Sequence, residues 1–168
     1  ENIKQSSYAV PNFYTKVNLL NYLLEDKDHY NKVLIFVSTI INAERLSKLL
    51  NFSSEISIIH SKKEQNYRSK SIEDFESGKS RILIASDVIS RGIDMNKIST
   101  VICFDTPFYP ENYIHRIGRT GRASEIGSSI LFYNKKEVVL KNTIEKLMKY
   151  EIPTIEFPKN VEKSSMLT

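Results

Sequence analysis

A single cysteine, Cys103, stands in 168 residues. Neither a disulfide framework nor a zinc site can be built on one thiol. Inside the apolar run TVICF it reads as a small core side chain. A reducing, intracellular setting is the expectation, taken here as the cytoplasm. No run approaches the roughly 20 apolar residues that a membrane-spanning helix needs. No signal peptide is visible, so no membrane partner is expected. His29, His60 and His115 show no metal spacing with one another or with Cys103, and no metal site is expected. The chain also lacks a GxxxxGK[ST] loop, a kinase-type glycine loop and a nucleophile elbow. Any phosphate chemistry would have to borrow its cradle and its magnesium ligands. The chain opens on Glu1 rather than Met, which fits a piece of something longer.

The composition is that of one globular domain. Hydrophobic residues make up 40% of the chain, too many for a disordered one. Lys and Arg number 24 against 20 acids, a net charge of +4 that fits either a polyanionic partner or a solvated basic face. Five short runs are almost continuously apolar: KVLIFV, EISIIH, RILIAS, TVICFD and SSILFY. Strands covered on both faces read this way, as in a parallel sheet. Amphipathic stretches alternate with them. Val17, Leu20, Leu23 and Leu24 make one helical face, and Ala43, Leu46, Leu49 and Leu50 a second. Tyr67, Ser71, Ile72 and Phe75 make a third, stopped by Gly78, and Val138, Val139, Ile144, Leu147 and Met148 a last one. The alternation predicts an α/β fold, a doubly wound and mostly parallel sheet flanked by helices. Residues 1–158 form that domain, expected to be monomeric in isolation. Residues 159–168 are a polar tail expected to be loose.

In such a sheet ligands sit beyond the carboxyl ends of the strands, and the unusual residues follow strands. HRIGRTGR places Arg116, Arg119 and Arg122 three apart behind a helix start at Pro110 and Glu111. Like charges so spaced either pair with Glu111 and Glu125 or await an anion, and planar guanidinium forks suit phosphate oxygens. In SDVISRGID, Ser86 ends a strand where it could hold a phosphate. Asp87 and Asp94 are turn and cap residues, or Asp94 accepts hydrogen bonds from a ribose. Gln65 and Arg68 lie three apart at a helix start, a solvated end or a surface for nucleic-acid phosphates. Thr39 is either an N-cap or a hydroxyl donor to a ligand.

Taken in order, these stretches resemble the C-terminal RecA-like domain of a DEAD-box RNA helicase. LIFVST resembles motif IV, Gln65 and Arg68 match the QxxR element, SDVISRGID resembles motif V, and HRIGRTGR matches motif VI in full. His115 marks the DEAD-box version, since related helicases carry glutamine there. The resemblance implies half of an ATP-dependent RNA helicase. Arg119 and Arg122 would be arginine fingers on the γ-phosphate, catalytic in role. Asp94 would contact the ATP ribose and Arg91 would lie beside the nucleotide. His115 and Arg116 would tie the two lobes together. Thr39, Gln65, Arg68 and Ser86 would grip RNA phosphates and sugars without reading bases. The implied partners are RNA and an N-terminal RecA-like domain, and the implied ligand is ATP with Mg2+ held by that other domain. The fragment alone is expected to be inactive. Departures are Ser86 for threonine, Ser61 for glycine, Ser90 for alanine and Ser124 for glycine; none removes a charge. A catalytically silent RNA-binding adaptor and a DNA helicase of the same superfamily are the rival readings.

Overall fold

The computed structural model describes residues 3–86, 98–117 and 127–166. Six strands make one sheet: β1 (Ile3–Ala9), β2 (Val33–Val37), β3 (Ile56–Ile59), β4 (Ile82–Ser86), β5 (Thr100–Cys103) and β6 (Gly127–Tyr133). Their order is β1-β6-β5-β2-β4-β3, and every neighbouring pair is parallel. The five apolar runs of the sequence are β2 to β6. Five helices follow or join them: α1 (Phe13–Leu24), α2 (Ile40–Leu49), α3 (Gln65–Ser77), α4 (Pro110–Ile117) and α5 (Val138–Met148).

Successive residues of a strand point to opposite faces, so each apolar run feeds two cores. Val33, Ile35 and Val37 pack with Leu19, Leu20 and Leu24 of α1 and with Ala43 and Leu46 of α2. Leu34 and Phe36 turn the other way and meet Phe75 of α3. On that second face Cys103 and Leu131 lie against Tyr113 and Ile117 of α4 and Ile144 of α5. Cys103 is buried there. Tyr113 is wholly buried, donates its hydroxyl to Gln5 Oε1 at 2.8 Å, and burial raises its pKa.

Three stretches depart from the expected pattern. β1 reads IKQSSYA, with no apolar run, because it is a sheet edge. Its outer side is covered by the chain after α5. Ser7 N donates to Pro153 O at 2.8 Å, and Ile155 N donates to Ser7 O at 2.7 Å. The polar stretch expected to be loose continues along α1. Val161 is buried, Asn12 Nδ2 reaches Ser164 O at 2.8 Å, and Ser164 N reaches Thr15 Oγ1 at 2.9 Å. On α5 the apolar residues divide: Ile144 is buried, whereas Val139 is 69% exposed.

Helix ends follow local chemistry. Asn12 caps α1 by accepting from Thr15 N at 3.0 Å. Gly78 ends α3 in the left-handed region at φ 89°, with nothing near a Cβ placed there. Lys149 ends α5 at φ 57°, where an L side chain is strained. Gly78→Ala is expected to destabilise the domain by about 1 kcal/mol, and Lys149→Gly to stabilise it by about 0.5–1 kcal/mol. Urea midpoints at unchanged m-value check both.

Candidate functional site

The carboxyl ends of β2, β4 and β3 lie side by side, and their register decides what meets there. Val37 pairs with Ser86 across β2 and β4, and Ile59 pairs with Ala85 across β3 and β4. Thr39, Ser86 and the turn from His60 into α3 therefore form one row, with strands about 4.8 Å apart. Thr39 is exposed and caps α2, its Oγ1 accepting from Asn42 N at 3.1 Å. Ser86 is the last residue of β4 and is 3% exposed; its Oγ has no hydrogen-bond partner among the described residues. Gln65 opens α3, where Arg68 Nη2 donates to Gln65 Oε1 at 2.7 Å. Arg68 Nε is buried without a partner among the described residues. Buried polar atoms are normally satisfied, so this row holds unused hydrogen-bonding capacity. It also holds the N-termini of two helices, whose free N–H groups favour anions.

His60 supports the row from behind. It is buried after β3, and its Nδ1 accepts from Lys62 N at 3.2 Å. The proton therefore sits on Nε2, which donates to Glu44 Oε2 of α2 at 2.7 Å. Lys63 Nζ lies 3.4 Å from the same oxygen. The hydrogen bond from His60, aided by Lys63, holds the Glu44 carboxyl below its ordinary value against a smaller opposing effect of burial. Sixteen residues separate Glu44 from His60, and no spacing in the sequence announces the pair.

A second cluster ties together the loops that leave β2, β5 and β6. Asp105 Oδ2 accepts Ser38 N at 2.7 Å, and its Oδ1 lies 3.3 Å from Lys16 Nζ. Glu137 Oε1 accepts Asn134 N at 3.0 Å and lies 4.0 Å from the same ammonium. Glu137 Oε2 accepts Thr106 N at 3.1 Å. The Lys16 side chain is 5% exposed, its ammonium 5.0 Å from the centre of the Phe104 ring. Sequence reading passed over Lys16, Asp105 and Glu137, which stand in three separate elements and share no motif.

The remaining candidates divide in two. His115 is exposed on α4. Arg116 is 4% exposed, its guanidinium 4.9 Å from the centre of the Phe36 ring beneath the sheet. Arg91, Asp94, Arg119 and Arg122, with Asp87, lie outside the described residues. Among the described residues no group of three or more His, Cys, Asp or Glu could hold a metal ion. No helix among them is long and apolar enough to cross a membrane.

Comparison with known proteins agrees with this architecture. Residues 15–124 match the helicase conserved C-terminal domain. The chain is 44% identical over 115 residues to ATP-dependent RNA helicase DBP2 of Chaetomium globosum, covering 68% of this chain and 20% of that protein. It is 38% identical over 162 residues to ATP-dependent RNA helicase eIF4A of Coccidioides immitis, covering 96% of this chain and 40% of that protein. The chain thus spans between a fifth and two fifths of the length of these two relatives. Among solved structures, the C-terminal domain of the DEAD-box protein Dbp5 superposes with a TM-score of 0.81 at 33% identity, covering 92% of this chain and 90% of that one. S. cerevisiae Dbp5 bound to RNA and ADP BeF3 gives 0.83 at 33% identity, covering 92% of this chain and 41% of that one.

The Glu44 carboxylate contributes stability that is fully present above its ordinary value of 4.5 and is lost as pH falls through the lowered folded value. Glu44→Gln is expected to flatten the acid limb of the stability profile. Urea unfolding at stepped pH between about 7 and 3 measures it.

Proposed function

This chain belongs to the helicase conserved C-terminal domain family, in its DEAD-box branch, and we propose that it serves as the second RecA-like lobe of an ATP-dependent RNA helicase. The row of donors along the carboxyl ends of β2, β4 and β3 carries the reading. In it Thr39, Ser86, Gln65 and Arg68 take the phosphates and riboses of one RNA strand, whatever its sequence. What supports this is the alignment of Thr39, Ser86 and the start of α3 along one edge, together with the N-termini of two helices that follow those strands. A single strand needs a line of donors rather than a broad basic face, in keeping with a net charge of only +4.

ATP is the substrate, with its Mg2+ and triphosphate cradle supplied by an N-terminal lobe. In this proposal Arg119 and Arg122 reach across to the γ-phosphate and neutralise the charge that spreads over the transferring group. Asp94 holds the ribose, and Arg91 flanks the nucleotide. His115, exposed on α4, meets the other lobe. Arg116, buried over Phe36, acts by fixing the end of α4, from which the chain continues to Arg119. Closure of the lobes on ATP clamps the RNA strand, and hydrolysis releases it.

The test is steady-state ATPase in the full-length protein. Arg119→Ala and Arg122→Ala are each expected to lower kcat by about 10³–10⁵ with RNA affinity retained. Residues 1–168 alone are expected to show no RNA-stimulated turnover. Unchanged kcat with weakened RNA binding would favour a passive adaptor. Equal stimulation by DNA would favour a DNA helicase.

A further inference from the structure

We propose that Lys16 is a positioning residue for RNA binding, acting through Asp105 on the turn that presents Thr39. The inference rests on the reading of Thr39 as an RNA contact. Lys16 is not free to take an RNA phosphate itself, because its ammonium is held by Asp105 at 3.3 Å with Glu137 at 4.0 Å. Asp105 can transmit the effect. Its two oxygens are divided between Lys16 Nζ at 3.3 Å and Ser38 N at 2.7 Å. Ser38 is otherwise exposed and stands between the end of β2 and Thr39. The hydrogen bond from its amide to Asp105 thus sets where the chain leaves the sheet before Thr39 caps α2.

Charge gives the arrangement its direction. Without the ammonium, two carboxylates would face one shared position, and repulsion would move Asp105 or its loop. Glu137 is locked by Asn134 N and Thr106 N, so Asp105 is the partner with freedom to shift. The row of donors needs sub-ångström placement to meet successive phosphates, and a displaced Thr39 turn weakens RNA binding without touching the nucleotide.

The test uses the full-length protein carrying Lys16→Met, which keeps the apolar stem over Phe104 and removes the charge. The expected result is an RNA KM raised about tenfold with the KM for ATP unmoved, together with faster hydrogen exchange at the Ser38 amide. Should Lys16→Met fail to fold, Asp105→Ala supplies the same readouts, since it removes both the acceptor of the Ser38 amide and the group that Lys16 engages. Where both variants fold, adding Lys16→Met to Asp105→Ala is expected to change RNA KM little, because the two act in one chain. A lowered melting temperature with RNA KM and Ser38 exchange unmoved would overturn the inference, as would full additivity of the two substitutions. Arg68→Ala, measured alongside, separates the two levels. If Arg68→Ala also leaves RNA KM unmoved, the proposed function itself fails. If Arg68→Ala weakens RNA binding while a folded Lys16→Met does not, only the positioning role fails.

Discussion

A parallel sheet must be covered on both faces, and nearly everything in this molecule follows from that constraint. Parallel strands need crossovers, crossovers bring helices, and helices bury the faces. β2 shows the consequence at residue level. Its odd positions meet α1 and α2, and its even positions meet α3, leaving no residue of the strand for solvent. Polar chemistry is thereby pushed to the ends of the strands. At the carboxyl end it gathers where β2, β4 and β3 finish side by side.

Several charges near that edge serve as fasteners. Glu44 locks His60 behind the β3 turn, and Lys16 holds Asp105 and Glu137 among three loops. Arg116 is buried with its guanidinium over the Phe36 ring. The groups left for a ligand are the Thr39 and Ser86 hydroxyls, the Gln65 amide, the Arg68 guanidinium and the free N–H groups at two helix starts. They suit a backbone of phosphate and sugar, which offers acceptors at regular intervals and no side groups to read. The sheet's two outer edges are treated differently. β1 is covered by residues 153–155, whereas β3 is kept to four residues.

Much of this was legible in the sequence. The strands with continuous apolar runs were found, because burial on both faces removes every polar position from the pattern. Gly78 marks a helix end in the sequence, and a left-handed residue stands there. β1 escaped notice because an edge strand carries Lys4, Gln5, Ser6 and Ser7 without penalty. α5 was recognised from apolar residues, although Val139 and Leu147 face outward and Ile144 alone of those named is wholly buried. In the candidate site, residues carried by contiguous motifs were visible: Thr39, Gln65, Arg68 and Ser86. The Lys16–Asp105–Glu137 cluster was not, since contacts across 89 residues of chain leave no local periodicity.

In the proposed function, RNA lies along the carboxyl edge of β2, β4 and β3. Hydrogen-exchange mass spectrometry of the full-length protein, with and without a single-stranded RNA and a non-hydrolysable ATP analogue, tests it most directly. Peptides spanning residues 38–42, 61–68 and the end of β4 are expected to gain RNA-dependent protection. Protection confined to the outer face of α5, around Val139 and Leu147, would contradict it.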